Sequence, residues 1–274
     1  MKRIKKGFLG LTLALGLLVT TACGTDTATD AEKTEPIKIG VVGEVNEVWD
    51  FVKEKLAADG IEIELVKFTD YATPNVALAE GELDLNSFQT KIFMDSFNKD
   101  HDEHLVAIAD TVIAPLGIYS SSIQDISEIK EKDVIAIPND VSNEGRALLL
   151  LQTAGLIEVD PSKGQIPVVE DVISNPLKLT FETLDSSQTA RALDDVTVSV
   201  INSGMAVDAG FVPTEDAVFL EPVTESSDPY YNAIVSREND KENEVFKQII
   251  EAYQAEDTKE VIKETSKGSS IPVW

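Results

Sequence analysis

The chain has few of the residues from which proteins build covalent or metallic staples. Among 274 residues there are one cysteine and two histidines. A single thiol excludes a disulfide framework and a cysteine-based zinc site. Basic residues are scarce as well, 23 against 49 acids, for a net charge of −26. Binding a polyanion needs clustered Lys and Arg that release counterions, so nucleic acid is excluded as an expected partner. The same deficit excludes a polybasic role at a lipid surface. Long apolar runs are missing too. The longest stretch, Phe8 to Val19, is 12 residues broken by Gly10, Thr12 and Gly16, short of the roughly 20 that span a bilayer. Neither a Gly-x-Ser-x-Gly elbow nor a phosphate-cradling Gly-x-x-x-x-Gly-Lys loop occurs, so two common signals of hydrolases and nucleotide-driven enzymes are absent.

What is present suits a globular body. Apolar residues make up 43% and charged residues 26%, and the length accommodates one large domain or two of about 100–150 residues. Such a chain buries a sizeable core without staples. Its opening is different in kind. Lys2, Arg3, Lys5 and Lys6 precede the short apolar run, and Val19-Thr20-Thr21-Ala22-Cys23 follows. A basic start, a short apolar run and small residues make a secretory signal, here 1–22. A cysteine directly after them resembles a bacterial lipobox, so Cys23 is expected to become the first mature residue and to carry acyl chains such as palmitate. Two or more chains would hold the protein at a membrane surface, outside the cytoplasm. The alternative is an ordinary signal peptide with a chance cysteine. Residues 23–36, rich in Thr, Asp and Glu without apolar periodicity, read as a flexible tether.

From Ile37 onward strands and helices alternate. Ile37–Val42 is β-branched. Val48, Phe51, Val52 and Leu56 follow a helical period after Asn46, and Ile61, Ile63 and Leu65 alternate with acids. Thr73-Pro74 opens a second helix, Leu83–Leu85 is a short strand, and Lys91–Phe97 a helix. Leu105–Ala109 and Val112–Tyr119 are extended. In the second half, Val134–Ile137 is a strand, and Ser142 or Asn143 caps a helix over Glu144–Ala154. Leu177–Leu184 is a strand, Ser186–Leu193 a helix, and Thr197–Ile201, Val218–Leu220 and Asn232–Ser236 strands. Helices over Glu238–Ala255 and Thr258–Glu264 follow. The pattern predicts α/β layering with mostly parallel sheets in two lobes, with a ligand cleft between them outside the strand carboxyl ends.

Candidate chemistry is sparse. His101 and His104 lie in the polar segment 98–104, where a metal site competes with a simple solvated connection. Asp194-Asp195 reads as surface charge rather than an acid/base pair. No catalytic set, metal site or cofactor is expected. The segment Pro138–Arg146 is more informative, because turn residues lead into a helix with an arginine in its first turns. Helix N–H groups and a guanidinium together suit a carboxylate. A pairing of Arg146 with a surface acid is the alternative. Asn202, at the end of an apolar strand, points to the same cleft or serves as a turn residue.

At Asn143-Glu-Gly-Arg-Ala-Leu-Leu-Leu-Leu-Gln152 the sequence resembles the methionine-binding lipoproteins of the NlpA family, the solute-binding components of ABC importers. Asp70–Asn75, Gly81–Asp84, Asn86–Gln89, Arg191–Asp195, Val200–Asn202 and Pro229–Asn232 match family segments in order. The resemblance covers about 37–274. It implies a type II periplasmic-binding-protein fold, with lobe 1 over 37–117 plus 223–274 and lobe 2 over 118–222. It also implies that Arg146 grips a substrate carboxylate, that Asn202 and Asn232 fix its amino and carboxylate groups, and that Tyr71 and Phe88 wall the side chain. Asn143 belongs to the same set. Thr90 and Phe93 stand where the family usually has His and Tyr, which leaves more room around the side chain. The implied partners are an amino acid, methionine foremost, an ABC permease with its ATPase, and the membrane through the lipid anchor. A receptor for another apolar amino acid or a methionine-containing dipeptide is the close alternative. A surface interaction protein such as an adhesin on the same fold is the more distant one.

Overall fold

The computed structural model describes residues 35–274. The signal segment 1–22, Cys23 and the tether up to residue 34 lie outside the described residues. The first stretch of the body runs β1 (Ile37–Val42), α1 (Glu47–Ala57), β2 (Ile63–Phe68), α2 (Thr73–Ala79), β3 (Leu85–Asn86), α3 (Lys91–His101), β4 (Leu105–Asp110) and β5 (Val112–Ile113). The middle runs β6 (Gly117–Tyr119), β7 (Val134–Pro138), α4 (Val141–Thr153), β8 (Glu158–Val159), β9 (Val172–Ser174), β10 (Thr180–Leu184), β11 (Val198–Ile201), α5 (Ser203–Asp208), α6 (Pro213–Asp216) and β12 (Phe219–Leu220). The last stretch is β13 (Ala233–Arg237), α7 (Glu244–Tyr253), α8 (Glu256–Thr265) and β14 (Ile271–Pro272).

These strands form two five-stranded sheets, ordered β2-β1-β3-β13-β4 and β10-β7-β11-β6-β12. The expectation of mostly parallel sheets needs correction, because both are mixed. β1 pairs in parallel with β2 and β3, and β7 with β10 and β11. β13 is antiparallel to β3 and β4, and β6 to β11 and β12. In each sheet the reversed strand is the one that directly follows a crossing from the other sheet. It enters from the crossing side, where the parallel strands end, and so must run against them.

Apolar periodicity places one core under each sheet. Ile39, Val41, Trp49, Val52, Leu56, Phe246 and Ile249 pack together beneath the first. Ile118, Ile135, Ile137, Leu148, Leu151, Val198 and Val200 pack beneath the second. On α1 it is Trp49 rather than Val48 that is buried. The ring's area outweighs the alternative register of the helix face, since aromatic side chains dominate core energetics. Ser186–Leu193, expected as one helix, forms two 3-10 turns, 186–188 and 191–194. Asp185 caps the first by accepting from Ser187 N at 2.9 Å, a local bond that competes with a continuing α-helix. Residues 238–240 likewise form a 3-10 turn, and α7 begins only at Glu244, where Asn243 accepts from Val245 N at 2.9 Å. α3 extends beyond Phe97 to His101, whose ring stacks on Phe97 at 4.4 Å.

The helix that carries the candidate anion site is pinned by its own glycine. α4 begins at Val141, with Asp140 rather than Ser142 or Asn143 at the cap; the Asp140 carboxylate accepts from Asn143 N at 2.9 Å. Gly145 faces the segment 165–167. A Cβ there would lie 2.7 Å from Gln165 O and 2.8 Å from Ile166 Cα, both main-chain atoms that cannot rotate away. Alanine exceeds glycine in helix propensity by about 0.8–1.0 kcal/mol, whereas overpacking costs about 1–3 kcal/mol. Gly145→Ala is therefore expected to destabilise the protein by about 1 kcal/mol net, read as a lower urea midpoint at unchanged slope. A raised midpoint would mean that α4 is not held against 165–167.

Candidate functional site

Asp140, at the end of β7, turns the chain into α4 and exposes the first turn of that helix to the space between the two sheets. Asn143 and Arg146, three residues apart on α4, share one face. Arg146 is 4% exposed. Its Nε donates to Glu221 Oε1 at 2.9 Å and its Nη2 to Glu221 Oε2 and, at 3.1 Å, to Ala114 O. The guanidinium also lies 4.6 Å above the Tyr230 ring. Nη1 has no hydrogen-bond partner among the described residues. The arginine therefore has an acid partner, but a largely buried one, and one edge of its fork remains.

These partners all lie on the two segments that join the sheets. Leu116 N donates to Glu221 Oε2 at 3.0 Å, and Glu221 N to Leu116 O at 2.9 Å. Further along, Asn232 N bonds Val112 O and Thr111 N bonds Asn232 O, both at 2.8 Å. Burial pushes the Tyr230 phenol up to about 12, with Glu221 adding to the rise and Arg146 opposing it. It stays a neutral ring under the cation.

Asn202 follows β11 and opens α5. Its Nδ2 donates to Asn143 Oδ1 at 2.8 Å. Asn143 Nδ2 in turn donates to both Asp140 oxygens, at 3.0 and 2.9 Å. Asn202 is 8% exposed, and its Oδ1 is buried without a partner among the described residues. Leaving such an acceptor unpaired costs about 1–3 kcal/mol.

Opposite these groups stand three aromatic rings. Tyr71, Phe88 and Phe93 form a triangle with centroid separations of 5.9, 6.1 and 6.0 Å. Burial, reinforced by the Asp140 carboxylate and opposed by Arg146, pushes the Tyr71 phenol well above its usual range, so it stays protonated. The loop bearing Phe88 is fixed by a buried cluster of amides: Asn75 and Asn86 bond each other at 2.8 Å, and Gln89 bonds Asn86 at 2.8 Å and Asn75 at 2.7 Å. Thr90 caps α3 by accepting from Phe93 N at 3.3 Å, and its main chain forms an antiparallel bridge with Asn232 of the second joining segment.

All eight expected site residues, Tyr71, Phe88, Thr90, Phe93, Asn143, Arg146, Asn202 and Asn232, line one cavity of about 270 Å³. Its wall also includes Asp208 of α5, whose carboxylate accepts from Glu44 N at 3.2 Å just beyond β1. Gly43 makes room for that contact at φ +90, since a Cβ there would meet Asp208 Oδ2 at 2.4 Å. Sequence reasoning missed Glu221, Tyr230 and Asp140. Asp140 carried a signal as a capping residue just before the helix, and Tyr230 lies within the matching segment Pro229–Asn232; Glu221 carried none. The histidine segment lies elsewhere; among the described residues no three His, Cys, Asp or Glu side chains are grouped to hold a metal.

The NlpA lipoprotein family matches residues 37–274, the whole described body but two residues. The chain belongs to that family. It is 36% identical to the D-methionine-binding lipoprotein MetQ of Escherichia coli K12, over 98% of each chain. Two solved structures align closely with this NlpA chain. One is a nutrient binding protein from Burkholderia cenocepacia bound to methionine, at 39% identity and a TM-score of 0.83, covering 87% of this chain and 100% of that one. The other is the substrate binding protein of a methionine transporter from Streptococcus pneumoniae, at 39% identity and a TM-score of 0.83, covering 87% and 96%. The fold is thus the two-lobed α/β fold of periplasmic substrate-binding proteins. Among the described residues no helix is long and apolar enough to cross a membrane.

Two substitutions test the scaffold of this site in an NlpA chain. Breaking a buried ion pair costs about 3–5 kcal/mol. Because Nη1 can still reach the cavity, Glu221→Ala is expected near the low end, about 3 kcal/mol by urea unfolding; a loss below about 1 kcal/mol would mean the pair is solvated. Thr90→Ala removes a long capping bond and should cost about 0.5–1 kcal/mol, measured the same way, with no change meaning that the hydroxyl does not cap α3.

Proposed function

We propose that the protein captures a single free amino acid, methionine foremost, outside the cytoplasm and delivers it to an ABC permease driven by a separate ATPase. The observation that carries this reading is a complementary pair of unused groups on two residues that line one cavity: Arg146 Nη1, a donor, and Asn202 Oδ1, a buried acceptor. A zwitterion supplies a carboxylate for the first and an ammonium for the second. The Asn232 side chain, without a protein partner among the described residues, serves as a further donor to the carboxylate. Arg146 is already neutralised by Glu221, so a ligand with no net charge adds no unbalanced charge to a buried site. The triangle of Tyr71, Phe88 and Phe93 offers ring edges and faces to a thioether, a contact worth about 0.3–1.5 kcal/mol.

The cavity, about 270 Å³ in volume, has room for one amino acid. The names of the relatives point the same way. We assign lobe 1 to 37–117 plus 223–274 and lobe 2 to 118–222, with closure over the ligand about the paired segments near Leu116 and Glu221. The family consists of substrate-binding proteins, and in this reading the chain performs no chemistry. Cys23 carries the lipid anchor, and 23–36 lets the body stand off the membrane.

The test is calorimetric titration of the folded body with L- and D-methionine, leucine and methionyl dipeptides. Methionine is expected to bind with the highest affinity; binding of none of these compounds would overturn the reading. Arg146→Lys keeps a charge for Glu221 but loses the planar fork, and lysine does not replace arginine at bidentate sites. It is expected to weaken methionine about 10- to 100-fold. An unchanged affinity would remove Arg146 from the ligand.

A further inference from the structure

The amide chain that leads to Asn202 has a direction, and Asp140 sets it. An ionised carboxylate only accepts hydrogen bonds, whereas an asparagine amide donates from one end and accepts at the other. Both Asp140 oxygens take bonds from Asn143 Nδ2. Asn143 must therefore turn its Oδ1 away, and that oxygen receives Asn202 Nδ2 at 2.8 Å. Asn202 is left with its Oδ1 as the atom that has no partner among the described residues. A flip of either amide would break a bond and set two donors or two acceptors face to face. The result is a buried acceptor with no partner among the described residues, in a residue on the cavity wall.

We infer that Asp140 is a specificity-determining positioning residue: by fixing the polarity of the Asp140–Asn143–Asn202 relay, it makes the site select a ligand with a donor, the α-ammonium, on the carbon next to the carboxylate. This inference rests on the amino-acid reading given above. The corresponding 2-oxo acid offers the Asn202 oxygen no donor and is expected to bind more weakly. Asp140 also caps α4 through Asn143 N and accepts from Ser142 Oγ at 3.0 Å, so a role in the helix alone must be separated from a role in the relay.

Asparagine and serine cap helices about as well as aspartate, but neither forces Asn143 to present its oxygen to Asn202. Asp140→Asn and, as a second variant, Asp140→Ser are titrated in the intact protein. The ligands are methionine and 4-(methylthio)butanoate, the same molecule without the amine, each at low salt and in 1 M NaCl. Both variants are expected to weaken methionine about 10- to 100-fold, the factor one charge-assisted hydrogen bond carries. The weak binding of the des-amino compound should change less than about threefold, and the loss should persist at high salt. Equal weakening of both ligands would reduce Asp140 to a helix cap and overturn the inference, as would unchanged methionine affinity. A loss that disappears at high salt would assign the effect to long-range attraction, and overturns it equally. Wild-type protein that binds neither compound overturns the amino-acid reading and the inference together. Wild-type binding of methionine with no ligand-dependent loss in the variants overturns the inference alone.

Discussion

The site depends on where one guanidinium is held. Arg146 sits on a helix of the second sheet's half, yet its partners Glu221, Ala114 and Tyr230 all belong to the two segments that join the halves. A buried charge needs a partner and hydrogen bonds to remain buried, and here those partners are the connecting strands themselves. Orientation of the Arg146 fork and geometry of the joint are therefore a single constraint. Any change in how the joining segments run past each other at Leu116 and Glu221 also moves the fork.

Around that fixed point the cavity divides by chemistry. Donors lie on one side, an oriented acceptor beside them, and three rings across the space. Each part is supported by neighbouring side chains: Asp140 holds Asn143, the amide cluster of Asn75, Asn86 and Gln89 fixes the loop of Phe88, and Thr90 caps the helix that carries Phe93. Such backing keeps side chains in place at the sub-ångström level that recognition of a small ligand requires.

The alternation of strands and helices, and the placing of eight candidate residues around one cavity, were legible because they follow local patterns and a matching family sequence. Other features were not. Glu221 is 75 residues from Arg146, and nothing in its own neighbourhood marks it among 49 acids. The cap of α4 was misplaced by two or three residues because Asp140, Ser142 and Asn143 are all good capping types in a short span, and only the main-chain turn decides among them. The 3-10 turns at 186–194 have a helical composition, and only the first has a side-chain cap, from Asp185. The reversed strands β6 and β13 were hidden because strand direction depends on connectivity, not on residue pattern.

The position of β13 has a consequence for how the chain comes together. It lies between β3 and β4, although about 120 residues separate it from β4 and nearly 150 from β3. The second sheet, by contrast, draws all its strands from the uninterrupted stretch between Gly117 and Leu220. As the chain emerges amino terminus first, the half that begins first is the half that finishes last. β4 waits at an open edge beside β3 until Ala233–Arg237 arrives to fill the gap, and an unfilled edge of that kind is a template for pairing with other chains. For a polypeptide that reaches its compartment unfolded, the later-starting half is the one that can act as the first completed unit, and the other half is finished by β13 together with α7 and α8, which supply Phe246, Ile249 and Ile262 to its core.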